Sequence, residues 1–449
     1  MSNDKKIVLH PVTNEENNSF VGIRIRNDEI HFHYPESYEL GNVFKFCTLK
    51  NGLYCFEMKD ISSSTLKRNF RNDIVNIVRS ISLAKSKTSP SNASDNGIAQ
   101  SEQFPLMSYL WIIRDYLTNG YYRNSEKIYR TNGKGKVNWK KTLETQPIIS
   151  NGNVIYNNVV VEVRNDCDDL ITEAHKWCVF DSMRKIGWLF GLHEKSVFVP
   201  CAADSVIKNY IRTIRAEIFR TFNDAKKMRL NHMLKVLTGV DDTDRTKEIV
   251  YGVDKYHYVY ERMVDYVFSN VTDITKYNPN AQWYLKKNGY QPKDASSLRP
   301  DTIRIVPLTN SVTCDEKAAY VLDAKFYRFG TTGNESDLPS TTSIQKQITY
   351  GDNIMCNMKK AENIQQVYNA FIMPYNKHHN MFGYQEDLEY IGFSEANWRN
   401  DQLSSHTRIC AFLIDTKHLI EVWSRGNCDA DIEKLIDEIE NVTKDDLGR

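Results

Sequence analysis

The sequence lacks a paired cysteine motif, a long apolar run and a strong net charge. Its nine cysteines are odd in number and irregularly spaced, and none forms a C-x-x-C pair. This argues against a zinc ribbon and a secreted disulfide framework, so we expect free thiols in a cytoplasmic protein. No run of about eighteen apolar residues occurs, and no apolar segment follows the polar start. We therefore expect neither a membrane span nor a secretion signal.

The charges nearly balance, at +1 overall, so composition does not indicate a nucleic-acid partner and any basic surface must be local. The chain also contains no G-x-x-x-x-G-K-[S/T] motif, so we expect no nucleotide hydrolysis through a P-loop. The segment Gly133-Lys134-Gly135-Lys136 comes nearest, but no Ser or Thr follows its last lysine and no helix is predicted to begin there.

Apolar patterning predicts a mixed α/β protein (α+β) with three regions. Residues 1–165 are expected to form a β-rich domain that contacts a partner or DNA. Within it, the Ser-, Asn- and Lys-rich stretch 84–103 is expected to be a flexible loop. Residues 166–245 are predicted to be a helical scaffold. Residues 246–449 are predicted to form a further domain with a helix, a strand pair, a second helix and later strands.

The helical scaffold is predicted from one apolar stripe. Its members recur at helical spacing: Ile207, Ile211, Ile214, Ile218 and Phe222. A stripe of this kind is expected to face a core rather than to form a site.

The most informative segments are Arg299-Pro300-Asp301 and, further along, Val321–Tyr327. Asp301 begins one apolar run, and Asp323-Ala324-Lys325 lies inside the next. A hairpin of two strands would bring Asp301, Asp323 and Lys325 to one point, because alternate side chains share one face of a strand. Two carboxylates and an ammonium together suit metal-dependent cleavage of a phosphodiester.

The cofactor that this set predicts is Mg²⁺, with Mn²⁺ as an alternative. One or two carboxylates hold Mg²⁺ in such sites, and waters and substrate oxygens complete the octahedron. Asp301 and Asp323 would supply the carboxylates, and Ala324 would add a carbonyl. Lys325 would orient the attacking water or help to deprotonate it, and would offset developing charge.

The Asp-x-Lys tripeptide alone is weak evidence, because it recurs in this chain. Further copies begin at Asp4, Asp224, Asp315 and Asp415, and Glu57-Met58-Lys59 is the glutamate version. The copy at Asp415 follows an apolar strand and is the strongest competitor, although a turn after Ile414 explains it as well. Only the copy at Asp323 combines an apolar strand, an upstream Pro-Asp and a following helix. The competing interpretation is a surface ion pair on an edge strand.

Three further residues are predicted to join the site. Glu261, on the helix before the hairpin, is expected to be a metal ligand, and a solvated glutamate is the alternative. Gln347 and Tyr350, on the helix after Lys325, are expected to contact the scissile phosphate or to order that lysine.

The pair His378-His379 is expected to lie on an exposed loop, because adjacent side chains do not face the same way.

A basic turn surrounds Trp139. Its lysines are predicted to contact a DNA backbone or a partner: Lys134, Lys136, Lys140 and Lys141. The alternative is an exposed turn that Trp139 anchors to the core.

Several of these segments resemble the LlaJI family of restriction endonucleases, which is akin to McrC, the nuclease subunit of McrBC systems. Gly133–Thr142 resembles the family's Gly-Lys-(Ile/Val)-(Asn/Asp)-Trp segment. Tyr258–Met263 resembles a helix motif in which an aromatic residue precedes the Glu. The segments around Asp301 and Asp323 resemble the catalytic pair. The resemblance runs from about residue 130 to 350, and more loosely to the end.

The resemblance implies cleavage of double-stranded DNA in a bacterial defence system, together with a McrB-like AAA+ NTPase. The missing P-loop agrees with a separate NTPase subunit. The order of predicted elements in residues 246–449 is that of a PD-(D/E)XK nuclease core. Two alternatives remain: a nuclease-like module that binds or bridges without cutting, and a repair or recombination exonuclease.

Overall fold

The computed structural model describes residues 6–14, 20–26, 29–41, 43–86, 105–191, 203–241, 249–308, 315–398, 405–426 and 428–447. These residues form a mixed α/β protein with several sheets. The strands in chain order are β1 (Lys6–Val12), β2 (Val21–Arg26), β3 (Glu29–Pro35), β4 (Thr48–Lys50), β5 (Leu53–Glu57), β6 (Asn124–Thr131), β7 (Lys136–Val137), β8 (Ile148–Ser150), β9 (Asn153–Ile155), β10 (Val160–Cys167), β11 (Ile249–Val253), β12 (Gln282–Tyr284), β13 (Pro292–Asp294), β14 (Thr302–Pro307), β15 (Lys317–Ala324), β16 (Ile364–Tyr375), β17 (Leu388–Glu395) and β18 (Arg408–Asp415). The α-helices are α1 (Ser64–Ser86), α2 (Leu106–Asn119), α3 (Trp139–Leu143), α4 (Leu170–Ile186), α5 (Asp204–Arg220), α6 (Asp224–Asp241), α7 (His257–Phe268), α8 (Phe329–Thr332), α9 (Thr341–Ala361), α10 (Thr416–Arg425) and α11 (Asp429–Leu447).

The chain forms two compact units. The small unit comprises residues 103–247, and the large unit comprises residues 4–102 together with 248–449. This division differs from the predicted boundaries at 165 and 245, because the N-terminal strands belong with the C-terminal half. Strand β11 pairs with β2, so that Ile249 lies opposite Ile25. Local sequence patterns cannot reveal a pairing between segments so far apart in the chain.

The first sheet of the large unit has the strand order β11-β2-β3-β1-β5-β4. Strands β1 and β3 run parallel, and the other neighbours run antiparallel. Along β3 the buried residues Ile30, Phe32 and Tyr34 alternate with more exposed ones, as a sheet with one covered face requires. Phe70 of α1 packs edge-on against Phe32 and Phe56, so this helix covers the buried face.

The second sheet of the large unit has the order β14-β15-β16-β18-β17. Strands β15, β16 and β18 run parallel, and β14 and β17 flank them antiparallel. Strand β15 is buried along its whole length after Lys317, as expected for a central strand covered on both faces. The strand pair predicted for residues 246–449 is observed as β14 and β15, and β16 and β18 are among the predicted later strands. The sequence does not predict β17, because its side chains are mostly half-buried and its apolar pattern is weak.

Helices α7 and α9 confirm the two helices predicted for residues 246–449, and α11 is a further helix near the end of the chain. Helix α9 packs on the second sheet through Tyr350 and Ile354, which share a core cluster with Tyr277, Ile303 and Val321. Burial of this apolar face positions α9 beside the end of β14. The segments that carry Asp301, Asp323 and Tyr350 therefore pack around the same core.

Helices α2, α4, α5 and α6 make up much of the small unit, and the last three confirm the helical character predicted for residues 166–245. Arg229 of α6 donates two hydrogen bonds to the Asp115 carboxylate of α2, at 2.7 and 2.9 Å. Ile214 of the predicted stripe is fully buried, but Phe222 is 97% exposed. The stripe ends earlier than predicted because α5 ends at Arg220 and the next residue is extended.

The small unit also contains the sheet β6-β10-β7 and the hairpin β8-β9. The expectation that no helix begins near Lys136 is wrong, because the short helix α3 begins at Trp139. The Asn138 side chain caps this helix by accepting a hydrogen bond from the backbone N–H of Lys141 at 3.1 Å.

The predicted flexible loop 84–103 is wrong at its start, since Ala84 and the two residues after it belong to α1. The rest of that loop lies outside the described residues, as does Asp4. None of the described helices combines the length and the apolar character that a membrane span needs. Six of the cysteines are described as free thiols: Cys47, Cys55, Cys178, Cys356, Cys410 and Cys428.

Candidate active site

The predicted hairpin brings two carboxylates together at one end of the second sheet. Thr302 of β14 lies opposite Leu322 of β15, so the next residue outward on each strand is Asp301 and Asp323. The two carboxyl groups are neighbours at the strand ends, close enough for Asp323 to raise the pKa of Asp301. The Lys325 Nζ lies 2.9 Å from Asp323 Oδ2, and both side chains are largely buried. The structure thus brings together the three residues at the centre of the predicted site.

The carboxyl group of Asp301 has a pKa well above its usual value. Burial is the main cause, and the neighbouring Asp323 and the more distant Glu261 raise the pKa further, while Lys325 opposes them. Two carboxylates this close repel each other unless a proton or a cation lies between them. Oxygen donors of this kind fit a hard divalent cation such as Mg²⁺.

Lys325 is a cation in this arrangement. Burial lowers the pKa of its ammonium, but Asp323 and Asp301 outweigh burial and raise the pKa above its usual value. A charged ammonium can donate hydrogen bonds and offset negative charge, but it cannot accept a proton. Whether Lys325 orients the water or helps to deprotonate it stays a prediction.

Glu261 lies on α7, close enough to Asp301 to raise the pKa of that carboxyl group. Nevertheless, within the part of the chain that the structure describes, no three acidic, histidine or cysteine side chains are arranged to hold a metal. The arranged oxygen donors are therefore those of Asp301 and Asp323, beside the backbone of Ala324. A ligand role for Glu261 stays a prediction that would need its side chain to move.

Tyr350 lies beside the carboxylates but is engaged by the protein. Its hydroxyl donates a hydrogen bond to the backbone carbonyl of Arg299 at 2.9 Å. Burial, followed by the nearby Asp323 and Asp301, raises the pKa of this hydroxyl to about 12. Tyr350 thus holds the turn that carries Asp301, a role different from the predicted contact with DNA.

Gln347 differs from its predicted role more strongly. Its side chain is fully buried, and neither polar atom of its amide has a hydrogen-bond partner among the described residues. Its backbone carbonyl accepts a hydrogen bond from Asn369 at 3.0 Å. In this conformation the side chain neither reaches solvent nor orders Lys325 through a hydrogen bond.

The competing copy at Asp415 is structural. Asp415 is the N-cap of α10, where Oδ1 accepts from the backbone N–H of His418 at 2.8 Å and Oδ2 accepts from that of Lys377 at 3.0 Å. The Lys417 ammonium pairs with Asp73 at 3.0 Å and not with Asp415. The predicted turn after Ile414 is therefore a helix N-terminus.

Two of the remaining copies, those at Asp224 and Asp315, begin with exposed aspartates. Lys226, in the copy at Asp224, pairs with Glu217 at 2.5 Å. Asp315 and Lys317 are both exposed. His378 and His379 lie in an exposed turn, as predicted.

The basic turn of the small unit is accessible. Lys134, Lys136, Lys140 and Lys141 are exposed, and the Lys141 ammonium lies over the Tyr129 ring. Trp139 is 63% exposed, so the alternative in which it anchors the turn to the core is wrong. Contact of this turn with DNA or a partner remains a prediction.

Two sets of contacts near the site, those to the Ile372 carbonyl and that of Arg328 with Glu36, have no signal in the sequence. The backbone N–H of Lys325 and the Tyr260 hydroxyl both donate to the carbonyl of Ile372, at 2.9 and 3.2 Å. Just beyond, Arg328 forms an ion pair with Glu36 at 2.9 Å, which ties the chain after β15 to the turn after β3. Both contacts join residues that are far apart in the chain.

Comparison with known proteins identifies the family. Residues 46–404 match the LlaJI restriction endonuclease family. The chain belongs to this family. The LlaJI match includes the whole of the predicted site, from the basic turn to Tyr350, and ends before Asp415.

Two known proteins are similar to this LlaJI-family chain. The "Type II restriction enzyme BsuMI component YdjA" of Bacillus subtilis (strain 168) is 26% identical over 272 residues, which are 59% of this chain and 56% of that protein. This chain thus spans little more than half the length of that relative. A solved chain in a half-complex of Thermococcus gammatolerans McrB AAA+ hexamers with bound McrC is 12% identical, with coverage of 90% and 81%. Its TM-score of 0.35 does not establish a shared fold.

Proposed function

We propose that this chain is the metal-dependent cleavage subunit of a cytoplasmic restriction endonuclease and hydrolyses phosphodiester bonds of double-stranded DNA. The observation that carries the proposal is the contact of Asp301 with Asp323, and of Asp323 with Lys325, in a chain of the LlaJI restriction endonuclease family. The order of α7, β14, β15, α9 and β16 supports a PD-(D/E)XK core.

Asp301, Asp323 and the carbonyl of Ala324 would hold Mg²⁺, or Mn²⁺ in its place. The bound cation would polarise the phosphoryl group and stabilise the leaving oxygen. The chain's own residues do the rest. The two carboxylates set the point at which the cation would be held, and the Lys325 ammonium orients the attacking water and offsets the charge that develops on the phosphoryl oxygens. Glu261, on the neighbouring helix α7, adds negative charge that strengthens cation binding.

The test of the proposal is cleavage by Asp323→Ala. We expect this variant to lose detectable cleavage of plasmid DNA in Mg²⁺ while it keeps its fold by circular dichroism. Asp315→Ala is the matched control, since it changes an exposed Asp-x-Lys copy in the connection before β15. Wild-type cleavage by Asp323→Ala would exclude the assigned site. Retained DNA binding with no cleavage by the wild-type chain would favour a non-cleaving module.

The proposed partner is a McrB-like AAA+ NTPase. The resemblance of the sequence to the McrC-akin family supports it, as does the lack of a P-loop motif in this chain. The surface of the small unit offers a place for a protein partner. Large apolar side chains are exposed there: Trp139, Leu143, Ile148, Ile149, Val154 and Ile155.

Substitution of this apolar surface tests the partner assignment. We expect Ile149→Asp to weaken co-purification with a neighbouring AAA+ subunit without changing the thermal stability of the chain. The matched control is Met381→Asp, an exposed apolar residue of the large unit. Equal co-purification of Ile149→Asp and the wild type would contradict the contact surface.

A further inference from the structure

A two-stranded hairpin lies on the surface of the large unit, just before β14. Its strands are β12 and β13, and every residue of both is exposed. We call residues 280–299 the aromatic hairpin. Within it only Leu285 and Ala295 are half-buried, whereas Tyr277 before it and Thr302 after it are fully buried. The aromatic hairpin is thus a surface element between two buried segments and does not itself cover the core.

The aromatic hairpin carries large rings in contact with solvent. Trp283, Tyr284 and Tyr290 are 62%, 57% and 60% exposed. Exposed aromatic side chains that cluster on one element indicate a recognition surface, because their faces gain from stacking and their polar atoms from hydrogen bonds. In a DNA duplex such rings can pack on the sugars and base edges of a groove, and a tyrosine hydroxyl can bond to a phosphate.

The aromatic hairpin is also locally basic, although the chain as a whole is nearly neutral. It has four cationic side chains, those of Lys286, Lys287, Lys293 and Arg299. Its single carboxylate, Asp294, accepts a hydrogen bond from Gln282 Nε2 at 2.9 Å across the two strands. The acidic group thus stabilises the hairpin, while the lysines face solvent. This excess of positive charge is complementary to a phosphate backbone.

Both roots of the aromatic hairpin are fixed to α9. Asn353 Nδ2 donates to the carbonyl of Tyr277 at 2.8 Å, and the Tyr350 hydroxyl donates to the carbonyl of Arg299 at 2.9 Å. Residues three apart on a helix lie on neighbouring turns of one face. The hairpin is therefore mounted on the helix whose Tyr350 lies beside the carboxylates.

The turn of the aromatic hairpin places a tyrosine in an unfavourable backbone conformation. Tyr290 has φ +62°, directly after Gly289 with the same value. Its backbone N–H donates to the carbonyl of Leu285 at 3.1 Å and closes the turn. Bulky residues rarely occupy the left-handed region, which Gly or Asn would occupy at lower cost. A tyrosine at this position indicates that the ring itself has a use.

We propose that the aromatic hairpin binds the DNA duplex next to the phosphodiester that the site cleaves. The lysines contact backbone phosphates, and Trp283 and Tyr290 contact bases or sugars. The proposal rests on the proposed nuclease function. A DNA partner is favoured over a protein partner because the rings alternate with cationic residues, and because the hairpin leads into Arg299 and then Asp301.

The test uses the full chain with Asp323→Ala, so that binding is measured without cleavage. Binding of a fluorescent duplex of mixed sequence is followed by anisotropy over a range of salt concentrations. We expect Lys286→Ala/Lys287→Ala to reduce the slope of log K against log salt by about two, since each phosphate contact contributes roughly 0.9. Trp283→Ala should weaken binding about tenfold through the loss of a ring contact, and Tyr290→Asn, which suits the left-handed backbone, should weaken it similarly.

Matched controls come from the same unit. Lys359→Ala/Lys360→Ala changes an exposed lysine pair at the end of α9, and Trp398→Ala changes an exposed tryptophan. Both should bind as the parent does. Hairpin variants that bind as tightly as the parent, with the parental salt slope, would overturn the inference and leave the nuclease assignment intact. A parent that binds no duplex would overturn the inference, and wild-type cleavage would show separately whether the proposed function also fails.

Discussion

The Tyr350 hydroxyl donates a hydrogen bond to the backbone carbonyl of Arg299 at 2.9 Å, two residues before Asp301. This bond links α9 to the turn that presents one carboxylate of the site to the other. Helix α9 packs on the sheet and, through this hydrogen bond, also holds the turn before Asp301. We therefore expect the geometry of the carboxyl pair to depend on the neutral side chain of Tyr350.

Tyr350→Phe removes that bond and keeps the ring. We expect cleavage to fall about tenfold, because the turn with Asp301 loses its tether, while the free energy of unfolding falls by only about 1 kcal/mol. Rates of plasmid cleavage and denaturant unfolding measure the two effects. Tyr368→Phe, which removes a hydroxyl bonded to Gln366 on β16, is the control for a general Tyr→Phe effect. Equal activities of the two variants would argue against a positioning role for Tyr350.

Asp415→Ala should lower stability and leave the chemistry intact. Its carboxylate is buried and accepts hydrogen bonds from two backbone N–H groups, that of His418 in the first turn of α10 and that of Lys377 in the turn after β16. Loss of this cap should lower the free energy of unfolding by about 1–3 kcal/mol. The rate of cleavage per folded molecule should match the wild type. Loss of cleavage at full stability would restore Asp415 as a competitor for the catalytic role.

His418 should make stability depend on pH. Its Nε2 lies 2.9 Å from Asp431, and its Nδ1 lies 3.5 Å from Asp387. Burial lowers the pKa of the ring, but the hydrogen bond and charge of Asp431, with Asp387, outweigh burial and raise it above its usual value. The stabilisation is therefore complete below the unfolded pKa of about 6.5 and is lost as the pH rises through the folded pKa.

His418→Gln should accordingly cost about 1 kcal/mol of stability near pH 6 and less near pH 9. Denaturant unfolding at both pH values measures the difference. His379→Gln, in an exposed turn, should change stability at neither pH. A loss for His418→Gln that is the same at both pH values would mean that the protonated ring is not the stabilising form.

The centre of the site could be predicted from the sequence because its determinants are local. Asp323 and Lys325 adjoin an apolar run that forms a buried strand, and Asp301 precedes the run that pairs with it. Alternation along a strand and the order of the elements were enough to choose this copy over the one at Asp415. The N-cap role of Asp415 follows the same local logic, since an aspartate that begins a helix often caps it.

The rest depends on contacts between distant segments. The side chain of Gln347 is fully buried, although its position on α9 predicted a contact with the scissile phosphate. Trp139 is exposed, although aromatic residues are more often buried. The pairing of β11 with β2 and the ion pair of Arg328 with Glu36 join residues that share no local pattern. Burial and partners of this kind are set by the whole fold.

The most direct measurement is single-turnover cleavage of DNA by Lys325→Ala, with duplex binding measured on the same preparation. The proposed site predicts parental binding and a cleavage rate reduced at least about a hundredfold, because the ammonium that orients the water and offsets charge is gone. Lys317→Ala, at the exposed start of the same strand, should bind and cleave as the wild type does. Cleavage by Lys325→Ala at the rate of Lys317→Ala would contradict the assignment of this site to the chemistry.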